Sequence, residues 1–99
     1  MEFLMNFGFS KEDIDEIVNN NEKNVLANIV LNKKNVSEVI KYLGELGIGK
    51  STVKELFIYQ IGIFFRTKDE IESVFDEYEM DSILKSLTYD VNTVDLIEF

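Results

Sequence analysis

Gly44-Glu45-Leu46-Gly47-Ile48-Gly49-Lys50-Ser51 satisfies the pattern G-x-x-x-x-G-K-[ST], in which backbone N–H groups and a lysine cradle nucleotide phosphates. That chemistry needs a strand before the loop, a helix after it and a parallel sheet to hold both. The residues before Gly44 have helical rather than alternating periodicity, with Val36, Val39, Ile40 and Leu43 on one stripe. Gly44 lies inside that helix, and the pattern reads as a helix-joining turn in preference to a nucleotide site.

A second constellation is acidic: Asp69, Glu70, Glu72, Asp76, Glu77, Glu79 and Asp81. Glu72 and Asp76 stand one helical turn apart, a spacing at which two carboxylates can share a divalent cation. The run lacks the alternating Asp/Asn ligands and central glycine of a calcium loop. A solvated outer face on an amphipathic helix accounts for these residues. The functional reading is a docking surface for a basic partner, with Glu70, Glu72, Asp76, Glu77 and Glu79 as candidate contacts. Paired carboxylates acting as acid and base would need a concave, partly apolar site to separate their pKa values.

The third constellation is basic. Lys33, Lys34, Lys41, Lys50 and Lys54 are the candidate phosphate contacts, and residues 33–54 sum to a charge of +3. The remainder of the chain sums to −12, so the long-range field opposes nucleic acid.

Nineteen Asp and Glu against ten Lys and Arg leave the 99-residue chain at −9, and it contains neither cysteine nor histidine. Disulfides, thiolate nucleophiles, imidazole bases and the usual ligands of zinc, copper and haem are thereby removed. The expectation is a non-enzyme without catalytic residues or cofactor. No stretch approaches the roughly 20 apolar residues that span a bilayer, and Met1 to Phe9 lacks a basic segment followed by an apolar one. These features predict no membrane partner and a cytoplasmic location. The heavy use of Asn, Lys, Ile and Glu fits an AT-rich bacterial or phage genome.

Positioning these residues falls to a repeated helical unit. Residues 3–28 recur 39 positions later as residues 42–67: Phe3-Leu4 returns as Tyr42-Leu43, Phe7-Gly8-Phe9 as Leu46-Gly47-Ile48, and Lys11 as Lys50. Ile14 returns as Val53, Glu16-Ile17-Val18 as Glu55-Leu56-Phe57, and Val25-Leu26 as Phe64-Phe65. A spacing that keeps apolar positions apolar and glycines in register reads as duplication. It also aligns Gly47-Ile48-Gly49-Lys50 with Gly8-Phe9-Ser10-Lys11, which supports the turn reading.

Apolar stripes and capping signals predict helices near 2–7, 11–20, 24–32, 36–46, 50–60, 68–79 and 81–88. Two further stripes are Ile71, Val74, Phe75 and Tyr78, and Met80, Ile83, Leu84 and Leu87. Ser10 with Asp13, Asn35 with Glu38, and Thr67 with Glu70 read as N-terminal caps. Gly8 and Gly47 read as left-handed helix ends, and Gly62 as a further end. Residues 89–99 fit either a last helical turn capped by Thr93 or an extended tail. Phe57, Tyr59, Phe64 and Phe65 read mostly as core, with an apolar excess that also fits a groove or dimer seam. Tail residues Val94, Leu96, Ile97 and Phe99 pose the same alternatives.

The unit Phe9-Ser10-Lys11-Glu12-Asp13-Ile14, with Leu46-Gly47-Ile48-Gly49-Lys50 in the second copy, resembles the repeat of the mitochondrial transcription termination factor (mTERF) family. The resemblance covers residues 3 to about 79. It implies tandem helix triplets stacked as in a curved solenoid, which in that family lies along duplex DNA or RNA. Lys23 and Gly62 stand where the family repeat has proline, and the chain is acidic with barely two repeats, so architecture alone is carried over.

The sequence thus predicts one all-α domain of about six or seven short helices: repeat one at 3–41, repeat two at 42–79 and a C-terminal segment at 80–99. Its expected role is a small non-enzymatic module for protein–protein interaction or regulation, acting as a monomer or small homo-oligomer. The alternatives are nucleic-acid binding in the mTERF manner through the five lysines, and a phage-type acidic inhibitor that mimics phosphate charge.

Overall fold

The computed structural model describes residues 1–97, and among these it contains helices and no strands. Six α-helices follow in order: α1 (Lys11–Asn19), α2 (Lys23–Leu31), α3 (Lys33–Glu45), α4 (Lys50–Tyr59), α5 (Lys68–Phe75) and α6 (Met80–Tyr89). Short 3-10 helices at Glu2–Phe7, Ile61–Phe65 and Val91–Leu96 precede α1, follow α4 and follow α6. None of the helices is long and apolar enough to cross a membrane. Phe99 lies outside the described residues.

Local chemistry sets most of the boundaries. Ser10 caps α1 by accepting from the Asp13 N–H at 3.1 Å, while the Asp13 carboxylate accepts from the Ser10 N–H at 3.0 Å. Thr67 and Glu70 build the same reciprocal box at the start of α5. Each box satisfies two amide donors that helix geometry leaves unpaired. Gly8 and Gly47 end their helices at φ +88° and +96°, backbone that a side chain disfavours. At Gly47 the closure is complete, since Ile48 N–H donates to the Leu43 carbonyl and Gly47 N–H to the Gly44 carbonyl.

Four expectations need correction. Asn35 is inside α3 rather than before it, and its amide donates to the carbonyls of Phe64 (3.3 Å) and Arg66 (2.8 Å) instead of capping. Gly62 ends nothing; it sits within the 3-10 helix at Ile61–Phe65. The helix expected to reach 79 stops at Phe75, because Asp76, Glu77 and Glu79 would oppose the negative end of the helix dipole. Thr93 does not cap the tail. Asp90 does, accepting from the Asn92 N–H at 2.9 Å, while the Thr93 hydroxyl donates to the Ser86 carbonyl.

The core runs through all of these elements. Phe57 on α4 is fully buried, stacked on Phe64 with ring centroids 3.8 Å apart and met edge-on by Phe9 at 6.3 Å. The large buried apolar area makes this trio a principal source of packing energy, to which the edge-on Phe9–Phe57 contact adds favoured ring geometry. Val91, Val94 and Ile97 dock on the same core, whereas Leu96 and Tyr59 face solvent. The two copies of the repeat correspond through α1 and α4 and then part. Residues matching α2 form the 3-10 helix at Ile61–Phe65 and the start of α5, so Phe64 is buried and Phe65 exposed where Val25 is half-buried and Leu26 buried.

Candidate functional site

The five candidate lysines do not form one patch. Lys33 and Lys34 occupy the first turn of α3, exposed, at the helix end where the dipole disfavours cations. Lys41 is two turns further along the same helix, about 12 Å from Lys33 by helical rise. Lys50 begins α4 and donates to the Gly8 carbonyl at 2.9 Å, so the lysine of the second copy closes the glycine turn of the first. Lys54 reaches across to α1, 3.0 Å from the Glu16 carboxylate and 3.4 Å from Asp13.

Electrostatics at the α1–α4 contact follow from this geometry. The Lys54 ammonium titrates above its ordinary range, chiefly through the hydrogen bond to Glu16, with Asp13 adding and partial burial opposing. Asp13 is held below its ordinary range, first by the Ser10 backbone N–H, then by the Ser10 hydroxyl and Lys54 against the opposing effect of desolvation. Two of the five lysines are therefore committed within the fold.

The acidic constellation is also divided. Glu70 belongs to the α5 cap, where the Thr67 N–H lowers its pKa first and the Thr67 hydroxyl second, and its carboxylate lies 3.8 Å from Arg66. Glu72 sits 3.8 Å from Lys68, one turn away on an exposed helix face. Asp76 caps α5 one helical turn from Glu72, its N–H donating to the Glu72 carbonyl at 2.9 Å, whereas Glu77 and Glu79 lie in the turn beyond. Among the described residues no ion pair reaches Asp76, Glu77 or Glu79, and no three carboxylates are grouped to hold a metal. Tyr78 stands among them, 44 % exposed. Buried Tyr42 is packed nearby, its hydroxyl pushed up by desolvation and then by the charges of Glu72 and Asp76, with the Lys68 ammonium 5.8 Å from its ring centroid.

The loop that matches the phosphate pattern has no strand before it. Its Gly47 and Ile48 amides are bound to the Gly44 and Leu43 carbonyls, and its lysine is bound to Gly8. Instead of a phosphate cradle, Gly44, Ile48 and Lys50 line an open cleft of about 230 Å³ together with Phe7, Phe9 and Lys41.

Sequence reasoning missed the long-range amide bridges. Asn21 donates to the carbonyls of Ile17 (2.8 Å) and Phe57 (2.9 Å), and Gln60 donates to Asn92 at 3.0 Å. An asparagine that bonds a backbone carbonyl 36 residues away leaves no periodic signal. Comparison with protein-family models, with curated proteins and with solved structures returns no match.

Proposed function

We propose that this chain is a non-enzymatic protein-binding or regulatory module of the cytoplasm, and that the Asp76–Glu79 turn with the adjoining face of α5 is its working surface. The observation that carries the reading is an asymmetry of charge pairing. Lys50 and Lys54 are engaged within the chain, while Asp76, Glu77 and Glu79 flank half-exposed Tyr78 in sequence and make no ion pair among the described residues. Carboxylates beside an aromatic face suit a Lys- or Arg-rich segment, which gains charge pairing and cation–π contact together. The mTERF likeness is kept as architecture, supported by the matching left-handed turns at Gly8 and Gly47.

Nucleic-acid binding is the competing reading, for which Lys33, Lys34 and Lys41 remain exposed. Affinity capture with the intact protein, with Asp76→Asn/Glu77→Gln/Glu79→Gln and with Lys33→Gln/Lys34→Gln separates the two. The proposal expects a protein partner that survives the lysine changes and is lost on neutralising the turn. Salt-sensitive binding of duplex or single-stranded probes by fluorescence polarisation, lost with the lysines, would replace it with the nucleic-acid reading.

A further inference from the structure

We propose that the cleft between the Phe7–Phe9 segment, α3 and α4 binds a small molecule with an apolar body and one terminal carboxylate. Its walls are apolar, contributed by Phe7, Phe9, Ile40, Ile48 and Val53. Two ammonium groups, Lys41 and Lys50, complete the lining, and among the described residues no carboxylate does. The lining itself is cationic and matches an anion, while the nearest carboxylates, Glu38 and Glu45 beside Lys41 and Asp13 beside Lys50, line neighbouring hollows.

Lys50 is held in place. Its bond to the Gly8 carbonyl occupies one of three ammonium protons and fixes the head group beside the cleft. Lys41 is exposed and makes no hydrogen bond or ion pair among the described residues, with Glu38 and Glu45 one helical turn to either side of it.

Gly44 is the independent observation. It lies within α3, where glycine is a poorer helix former than alanine, and its φ is not positive. A Cβ added there would meet nothing within 4 Å. Neither backbone strain nor packing within the chain requires glycine at this position, and the position lines the cleft. Its counterpart in the first copy is Met5, half exposed, so the repeat itself does not call for glycine.

Size and donors narrow the ligand. About 230 Å³ falls below the roughly 300–1,000 Å³ of drug-sized sites, which suits a body of the size of a medium-chain acid. A phosphate dianion is the poorer match, because the Gly47 and Ile48 amides that would cradle it are bonded within the chain. A carboxylate needs only the two ammonium groups.

Octanoate, 1-octanol and inorganic phosphate, titrated separately into 15N-labelled protein, test the inference. Octanoate is expected to move the amides of Phe9, Gly44 and Ile48 saturably, with 1-octanol weaker by about tenfold for want of the charge-assisted bonds and phosphate inert. Lys41→Gln is expected to weaken octanoate several-fold with the spectrum otherwise native. Gly44→Leu, which fills the cleft from an open position, is expected to abolish binding without lowering Tm. Linear, unsaturable shifts, equal affinity for 1-octanol, preferred binding of phosphate, or unchanged octanoate binding by either variant would each overturn it.

Discussion

The turns at Gly8 and Gly47 have the same backbone and different lives. Both glycines are left-handed and each precedes an α-helix that starts three residues later. Each glycine N–H donates three residues back, Gly8 to Met5 and Gly47 to Gly44, but the Gly47 turn adds the bond from Ile48 to Leu43, whereas the Gly8 turn is tied by Lys50 from the other copy. Lys11, which matches Lys50, makes no recorded hydrogen bond or ion pair among the described residues. The helix caps differ as well: Ser10 has a full capping box, and Gly49 has no side chain with which to cap. Duplicated local chemistry reproduces backbone, while the use of each side chain depends on what packs beside it.

The largest test of that contrast concerns Phe57 and its match, Val18. Phe57 is 0 % exposed and Val18 36 % exposed, although the two occupy one position of the repeat. Phe57→Ala should lower unfolding free energy in urea by about 3–5 kcal/mol, a large share of the roughly 5–15 kcal/mol available to such a domain. Val18→Ala should stay within about 0.5 kcal/mol. Equal costs would show that the copies are packed alike.

Next come the glycines. Alanine at either site meets left-handed strain of about 1–2 kcal/mol. At Gly8 the new Cβ would also come within 3.0 Å of the Lys50 Nζ and disturb its bond to the carbonyl. Gly8→Ala should therefore melt below Gly47→Ala, and the gap should close in a Lys50→Met background. A gap that persists there assigns the difference elsewhere.

The smallest effects belong to the caps. Ser10→Ala should cost about 1 kcal/mol, and Gly49→Ser should gain a few tenths by supplying a side-chain acceptor. The cap also carries pH dependence. Asp13 titrates below its ordinary value of 3.8 in the fold, so its contribution is complete above that value and is lost as pH falls through the lowered one. Asp13→Asn should flatten the acid limb of a Tm-against-pH curve. The opposite sign holds for Lys54, whose contribution is complete below 10.5 and lost as pH rises through its raised value.

Legibility followed the range of the interaction. The boxes at Ser10–Asp13 and Thr67–Glu70 span three residues and were readable, as were the left-handed glycines and most helix limits. Asn35 has the side chain of a cap and lies near a helix start, yet the carbonyls of Phe64 and Arg66, 29 and 31 residues away, claim it. The 3-10 helix at Ile61–Phe65 escaped because its residues repeat those of α2, and nothing local says that Phe64 will stack on Phe57. Of the candidate site, the acidic residues were readable as a group, but their division between α5 and the following turn was not.

By itself, the sequence determined an all-helical chain, the capping boxes at Ser10 and Thr67, the left-handed turns at Gly8 and Gly47, its acidity and the lack of thiol and imidazole side chains, since each depends on residue identity or on neighbours within about one helical turn. Tertiary structure alone decided which lysines are engaged and which remain exposed, which of two matching apolar residues is buried, and that the residues of a phosphate-loop pattern border an apolar cleft. Those outcomes depend on contacts between residues far apart in the chain, as in the bonds from Lys50 to Gly8 and from Asn21 to Phe57, 42 and 36 positions apart. Such contacts exist only after the chain has closed on itself.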